Sequence, residues 1–160
     1  MIVSKKRLAA LMVIAISAAL LFQANVSNAE SVKLQVVGPL AGVKAGVPFN
    51  LTIKAYNFTT SAVAFNRVVV AYANPDLTVK GPLLVSSTAR TIPAGTPGSD
   101  PYGPVTPGVL TFTVPFTITT PDSMLPPNTI LPLMVTLWNN QYTAGNDRGA
   151  GAGGVKIVAP

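Results

Sequence analysis

The sequence predicts an all-β protein: a single antiparallel β-sandwich of about seven or eight short strands. Three observations carry this. Apolar residues alternate with polar ones over several runs, turn signals recur at short intervals, and fifteen prolines leave little room for helix.

The first 29 residues stand outside that pattern. Lys5, Lys6 and Arg7 precede the apolar run from Leu8 to Phe22, and Ser27 and Ala29 put small residues where a signal peptidase reads. This is the layout of a secretory signal peptide cut after Ala29. The apolar run spans about 15 residues, short of the ~20 that cross a bilayer. No cysteine follows it, so a lipid anchor on a thiol is excluded, and a prepilin would be cut before its apolar helix. The expected mature domain is residues 30–160, secreted to the periplasm, cell surface or medium, with no membrane span after signal removal.

The strands follow in order. Val32, Leu34 and Val36 alternate with Lys33 and Gln35. Phe49, Leu51, Ile53 and Ala55 alternate with Asn50, Thr52, Lys54 and Tyr56. The stretch from Val63 to Ala73 holds the nearly continuous run Val68-Val69-Val70, which fits a central strand buried on both faces. From Leu110 to Thr119, Leu110, Phe112, Val114, Phe116 and Ile118 form one face and threonines dominate the other. Leu131, Leu133, Val135 and Leu137 line one side of the next strand, and Val155 and Ile157 close the chain as a short last one. Gly38-Pro39, Gly46-Val47-Pro48, Asn74-Pro75-Asp76, Gly81-Pro82 and Pro126-Pro127-Asn128 read as turns between them. Pro115 and Pro132 fall inside strand patterns and belong at an edge or bulge, because proline donates nothing to a ladder. Two long connections, Thr91–Thr106 and Ala144–Gly154, lack apolar anchors and are expected to be mobile.

Charge and composition then exclude function classes. Three of the eleven basic residues lie in the signal segment, leaving eight against five acidic ones, a formal charge near +3. Those eight are scattered along the chain and form no basic stripe, so nucleic acid is not the expected partner. Cysteine is absent, so the domain stands on its core without disulfides. Histidine is absent too, which removes the commonest general acid or base and the usual His/Cys metal sites. Glu30, Asp76, Asp100, Asp122 and Asp147 each occupy a different loop or terminus, with no spacing that pairs two carboxylates. No catalytic residue, cofactor or metal site is predicted, and the protein is read as no enzyme. Asn146 and Asp147 supply two oxygen ligands where calcium takes six to eight, so that loop reads as a solvated turn. Gly149–Gly154 lacks the lysine and helix of a phosphate loop and reads as a flexible linker.

The phrase Ala45-Gly46-Val47-Pro48-Phe49-Asn50-Leu51-Thr52-Ile53-Lys54-Ala55-Tyr56-Asn57 resembles the second-strand region of bacterial and archaeal immunoglobulin-like, fibronectin type III-like surface modules. The run from Phe116 through Pro121, Pro126-Pro127-Asn128 and Leu131–Leu137 is similar to the paired strands near the end of such domains. The likeness implies an immunoglobulin-like sandwich and carries no active site with it. Two departures stand out: the cysteine pair of antibody domains is missing, and Trp138 comes late in the chain.

Three functional readings remain. The leading one is a non-enzymatic exported structural and interaction module with a protein partner. A second is a filament subunit that self-associates by strand donation, with Val32, Leu34 and Val36 in one candidate donor and Val155 and Ile157 in the other. A third is a carbohydrate-binding module centred on Trp138, Asn139, Asn140 and Tyr142, where rings stack on a glycan and amides bind its hydroxyls; the same residues also make an ordinary aromatic-amide turn. Asn50-Leu51-Thr52 and Asn57-Phe58-Thr59 match the N-glycosylation acceptor pattern.

Overall fold

The computed structural model describes residues 31–100, 104–121, 124–143 and 145–158. The predicted signal segment 1–29 lies outside them, as do Glu30 and Asp122. Among the described residues nine strands form: β1 (Val32–Val37), β2 (Phe49–Asn57), β3 (Val63–Phe65), β4 (Arg67–Ala73), β5 (Val79–Ser86), β6 (Arg90–Ile92), β7 (Gly108–Phe116), β8 (Ile130–Trp138) and β9 (Asp147–Lys156). Among the described residues no helix is long and apolar enough to cross a membrane.

The all-β class is as predicted, but its form is coarser than a two-sheet sandwich. Seven strands join one curled sheet in the order β5-β4-β8-β9-β1-β2-β7, and β3 and β6 pair as a small second sheet. Neighbours in the large sheet are antiparallel except β1 and β9, which run parallel with Lys33 opposite Ala150. The curl brings distant strands face to face: the rings of Tyr72 on β4 and Phe116 on β7 stand 5.9 Å apart, nearly perpendicular. The alternating faces foreseen in the sequence meet there. Leu51, Ile53 and Ala55 of β2, Val114 and Phe116 of β7, and Leu131, Leu133, Val135 and Leu137 of β8 are all buried in one core. Each large aliphatic side chain so buried contributes about 1.5–3 kcal/mol. Phe65 of β3 closes on Phe112 of β7 with centroids 5.5 Å apart, which seats the small sheet on the same core.

Four expectations change. The run Val63–Ala73 is interrupted at Asn66, whose N–H donates to Trp138 O, so it splits into β3 and the central strand β4. Gly81-Pro82 is no turn: it lies inside the edge strand β5, where the pairing with β4 shifts register and a missing N–H is tolerated. The connection after Thr91 is anchored, because Ile92 is fully buried and Thr96 and Thr106 pair through both backbone hydrogen bonds. Finally, Gly149–Gly154 is no linker but the middle of the ten-residue strand β9.

That last correction has a steric cause. A Cβ on Gly149, Gly151 or Gly153 would come within 2.9, 2.3 and 2.6 Å of the carbonyl oxygens of Val32, Leu34 and Val36, respectively. Real Cβ atoms do not approach so closely, so only glycine lets β1 settle against β9 where the sheet curls. Gly-Ala-Gly-Ala-Gly is therefore a strand that alternates the absence of a side chain with a small one. Pro115 sits as predicted, on the edge strand β7. Pro132 does not: it lies in the inner strand β8 opposite Gly154, at neither an edge nor a bulge, and its missing N–H is tolerated because the pairing of β8 to β4 ends at Leu133.

Candidate functional site

β8 and β9 are joined by a turn over residues 139–146 at one end of the sheet, and three of its features build a recognisable surface. First, the turn is tied by amides. Asn140 adopts φ +66°, a conformation asparagine tolerates, and its N–H donates to Asn66 Oδ1 at 2.7 Å while Asn66 Nδ2 donates to Asn140 Oδ1 at 2.8 Å. Asn139 N–H donates to Asn146 O, and Asn146 Nδ2 to Thr143 Oγ1.

Second, the aromatic residues form a layered cluster. Trp138 lies across β8 from the Leu137 face, half-buried, with its Nε1 donating to Thr136 Oγ1 at 2.8 Å. Tyr142 meets its indole edge-on at 5.6 Å, and the Arg67 guanidinium sits 5.3 Å from the Tyr142 ring centre. Arg67 is held there because β4 pairs it directly with Trp138. Tyr142 keeps 43% of its surface exposed.

Third, an open cleft of about 410 Å³ lies beside the turn, lined by Ser31, Ala62, Val63, Ala64, Asn139, Gly145 and Arg148. Arg148 is positioned by bonds from its guanidinium to Gly145 O at 2.7 Å and to Asp147 O at 2.9 Å.

The structure thus brings Trp138, Asn139, Asn140 and Tyr142 together, but on different terms. Asn139 faces the cleft and Tyr142 is exposed, whereas Asn140, though exposed, has its Oδ1 tied to Asn66 and the Trp138 N–H is bound to Thr136. Sequence reasoning missed Asn66, Arg67 and Arg148. The polar pair Asn66-Arg67 interrupting an otherwise apolar run was the available signal for the first two; Arg148 gave none.

The candidate donor strands are paired within the sheet. Val32, Leu34 and Val36 belong to β1, paired with β2 on one side and β9 on the other; Val155 is in β9, between β8 and β1. Ile157 follows β9 and bridges Val43. All five are buried. The edges of the sheet are β5 and β7.

Two further sequence motifs are resolved by burial. Asn57 is fully buried. Its Nδ2 donates to Ser61 O and Pro93 O at 2.8 and 2.9 Å, and its Oδ1 accepts from Thr59 N–H and Oγ1. In the folded state that amide is inaccessible to a glycosyl donor, whereas Asn50 on β2 is exposed. Asp147 does not lie in a solvated turn: it opens β9 and is buried, with 8% of its surface exposed. No group of three or more His, Cys, Asp or Glu gathers among the described residues.

No protein-family model matches the chain, and no curated protein matches its sequence.

Proposed function

We propose that this protein is a non-enzymatic, exported structural and interaction module of the immunoglobulin-like kind, which engages a protein partner at the Trp138 end of the sheet. The curl that sets β4 against β7 supports the sandwich reading, since it gives two facing layers around one core. The observation that carries the interaction reading is the cleft between Ala62–Ala64 and Arg148, lined in part by the same turn that carries the exposed Tyr142 ring under Arg67. Tyrosine and arginine are enriched where interfaces concentrate binding energy, and here both are held in place before any partner arrives. A photo-crosslinking residue at Ala64, on the exported protein in its own cells, is expected to yield one discrete heavier species. The same residue at Thr113, on the exposed face of β7, is expected to yield none. Equal capture at both positions, or none at Ala64, Ala62 and Asn139, overturns the reading.

Self-association is the second reading, favoured by the edge strand β7: nine residues, Gly108–Phe116, without a charged side chain to discourage pairing. It predicts mass that grows with concentration in light scattering and is abolished by Thr113→Lys. A monomer at every concentration removes it.

A further inference from the structure

The basic residues are scattered along the chain, but the sheet gathers some of them. β9, β1 and β2 lie side by side, and β1 pairs with β2 so that Lys33 stands opposite Tyr56 and Gln35 opposite Lys54. Leu34, Val36, Leu51, Ile53 and Ala55 belong to the core. Successive side chains of a strand alternate, so Lys33, Gln35, Lys54 and Tyr56 share the outer face. Lys156, exposed next to the buried Val155, ends β9 on that face. Along these three strands the one acidic residue is Asp147, which is buried. The outer face therefore carries cations and no carboxylate.

Tyr56 supplies the second feature. Its hydroxyl donates to Gln35 Oε1 at 3.1 Å, and Gln35 is its diagonal neighbour on β1. That bond draws the half-buried ring over β1 and holds it along the sheet. Lys33, its direct cross-strand neighbour, and Lys54, two residues before it on β2, flank it. Ala150 stands opposite Lys33 on β9, so the surface beyond the lysine stays low.

The geometry points to this face as a binding site for a carboxylated glycan. An aromatic ring held along a sheet stacks on the C–H face of a sugar, and because it is already anchored it loses little freedom in doing so. The flanking ammonium groups reach carboxylates on the stacked sugar and its neighbours, and Gln35 Nε2 donates to a hydroxyl. A nucleic-acid backbone asks for a denser run of cations than three lysines spread over three strands. The site is separate from the Trp138 end and stands whether or not a protein partner binds there.

The test uses the protein purified from its own cells, in affinity electrophoresis at low salt. Polygalacturonate, alginate and hyaluronate are the carboxylated probes and dextran the neutral one. Retardation by at least one of the three and none by dextran is expected; no retardation by any of the three overturns the proposal. For the glycan that binds, Lys33→Glu, Lys54→Glu and Tyr56→Ala are each expected to weaken affinity about fivefold or more. Lys80→Glu, on the far edge strand β5, changes the net charge as much as Lys33→Glu does and is expected to alter affinity less than about twofold. Equal losses in Lys33→Glu and Lys80→Glu mean attraction to net charge alone and overturn the site. Full binding by Tyr56→Ala, or inorganic polyphosphate or phosphatidylglycerol vesicles bound as tightly as the glycan, overturns a carboxylated glycan as the ligand. Should Tyr56→Ala not fold, Tyr56→Leu removes the ring face while keeping apolar bulk and is expected to lose binding alike.

Discussion

At the Tyr72 end of the sheet Asp76 is exposed and accepts two hydrogen bonds from Thr78, whereas at the Trp138 end Asp147 is buried and accepts none. The first carboxylate closes a directed chain. Thr120 Oγ1 donates to Asn74 Oδ1 at 2.6 Å, which leaves the Tyr72 hydroxyl to donate to Thr120 at 3.1 Å while Thr119 N–H donates to Tyr72. Asn74 Nδ2 then donates to Thr78 Oγ1, and Thr78 to Asp76. Every buried polar atom in that series has a partner, so the network locks the turn after β4 to the segment after β7. The contrast teaches that the two ends serve different purposes. One is closed by hydrogen bonds among the described residues, and the other keeps a buried carboxyl that accepts none.

The seam between the ends gives the largest effect. Gly151→Val places a side chain where Leu34 O now lies, forcing β1 off β9, and is expected to destabilise the fold by about 3 kcal/mol or more, measured by urea unfolding. Ala152→Val on the outward face is the control, and a change there is expected to stay within about 0.5 kcal/mol. Equal losses at both positions would mean that the curl does not depend on the missing Cβ atoms.

Next comes Tyr72→Phe, which leaves Thr119 N–H without its acceptor and is expected to cost about 1–3 kcal/mol in the same assay. Asp147→Asn is expected to change stability by less than about 0.5 kcal/mol, because Asp147 accepts no hydrogen bond that the change could remove. If both substitutions destabilise alike, the contrast between the ends fails.

The smallest effect is confined to acid. Hydrogen bonds from the Thr78 side chain and backbone hold the Asp76 carboxyl below its usual value. A depressed pKa in the folded state contributes stability above the ordinary carboxylate pKa of about 3.9 and loses it as pH falls further. Thr78→Val is therefore expected to raise the Asp76 titration midpoint, read by NMR; the midpoint and not stability is the readout, because the change also takes the acceptor from Asn74 Nδ2. An unmoved midpoint would show that the Thr78 hydroxyl does not reach the carboxylate in solution.

Much of the frame was legible in the sequence. Alternation identified β1, β2, β7 and β8 because a half-buried strand must present one apolar face. The apolar run Val68-Val69-Val70 identified a central strand for the same reason, applied to both faces. β5 was not legible, since Gly81-Pro82 has the composition of a turn and only the neighbouring β4 makes an edge strand of it. β9 was legible only at its end, where Val155 marked a short last strand. Glycine and alanine carry no periodic hydrophobic signal, and their alternation acquires meaning only against the backbone of β1. Within the candidate site, the aromatic-amide cluster was readable as a group. The engagement of Asn140 by Asn66, and the placement of Arg67 over Tyr142, depend on β4 lying beside β8.

The sequence by itself determined the all-β class, the inward faces of the main strands and the short supply of acid–base groups, because these follow from residue type and local period. Tertiary structure alone decided that the first and last strands run side by side, that the glycine run is the seam of a curled sheet, and that Asp147 is buried. Those outcomes are set by which backbones approach one another across a hundred residues of chain, and the approach leaves no trace in local pattern until the strands have met.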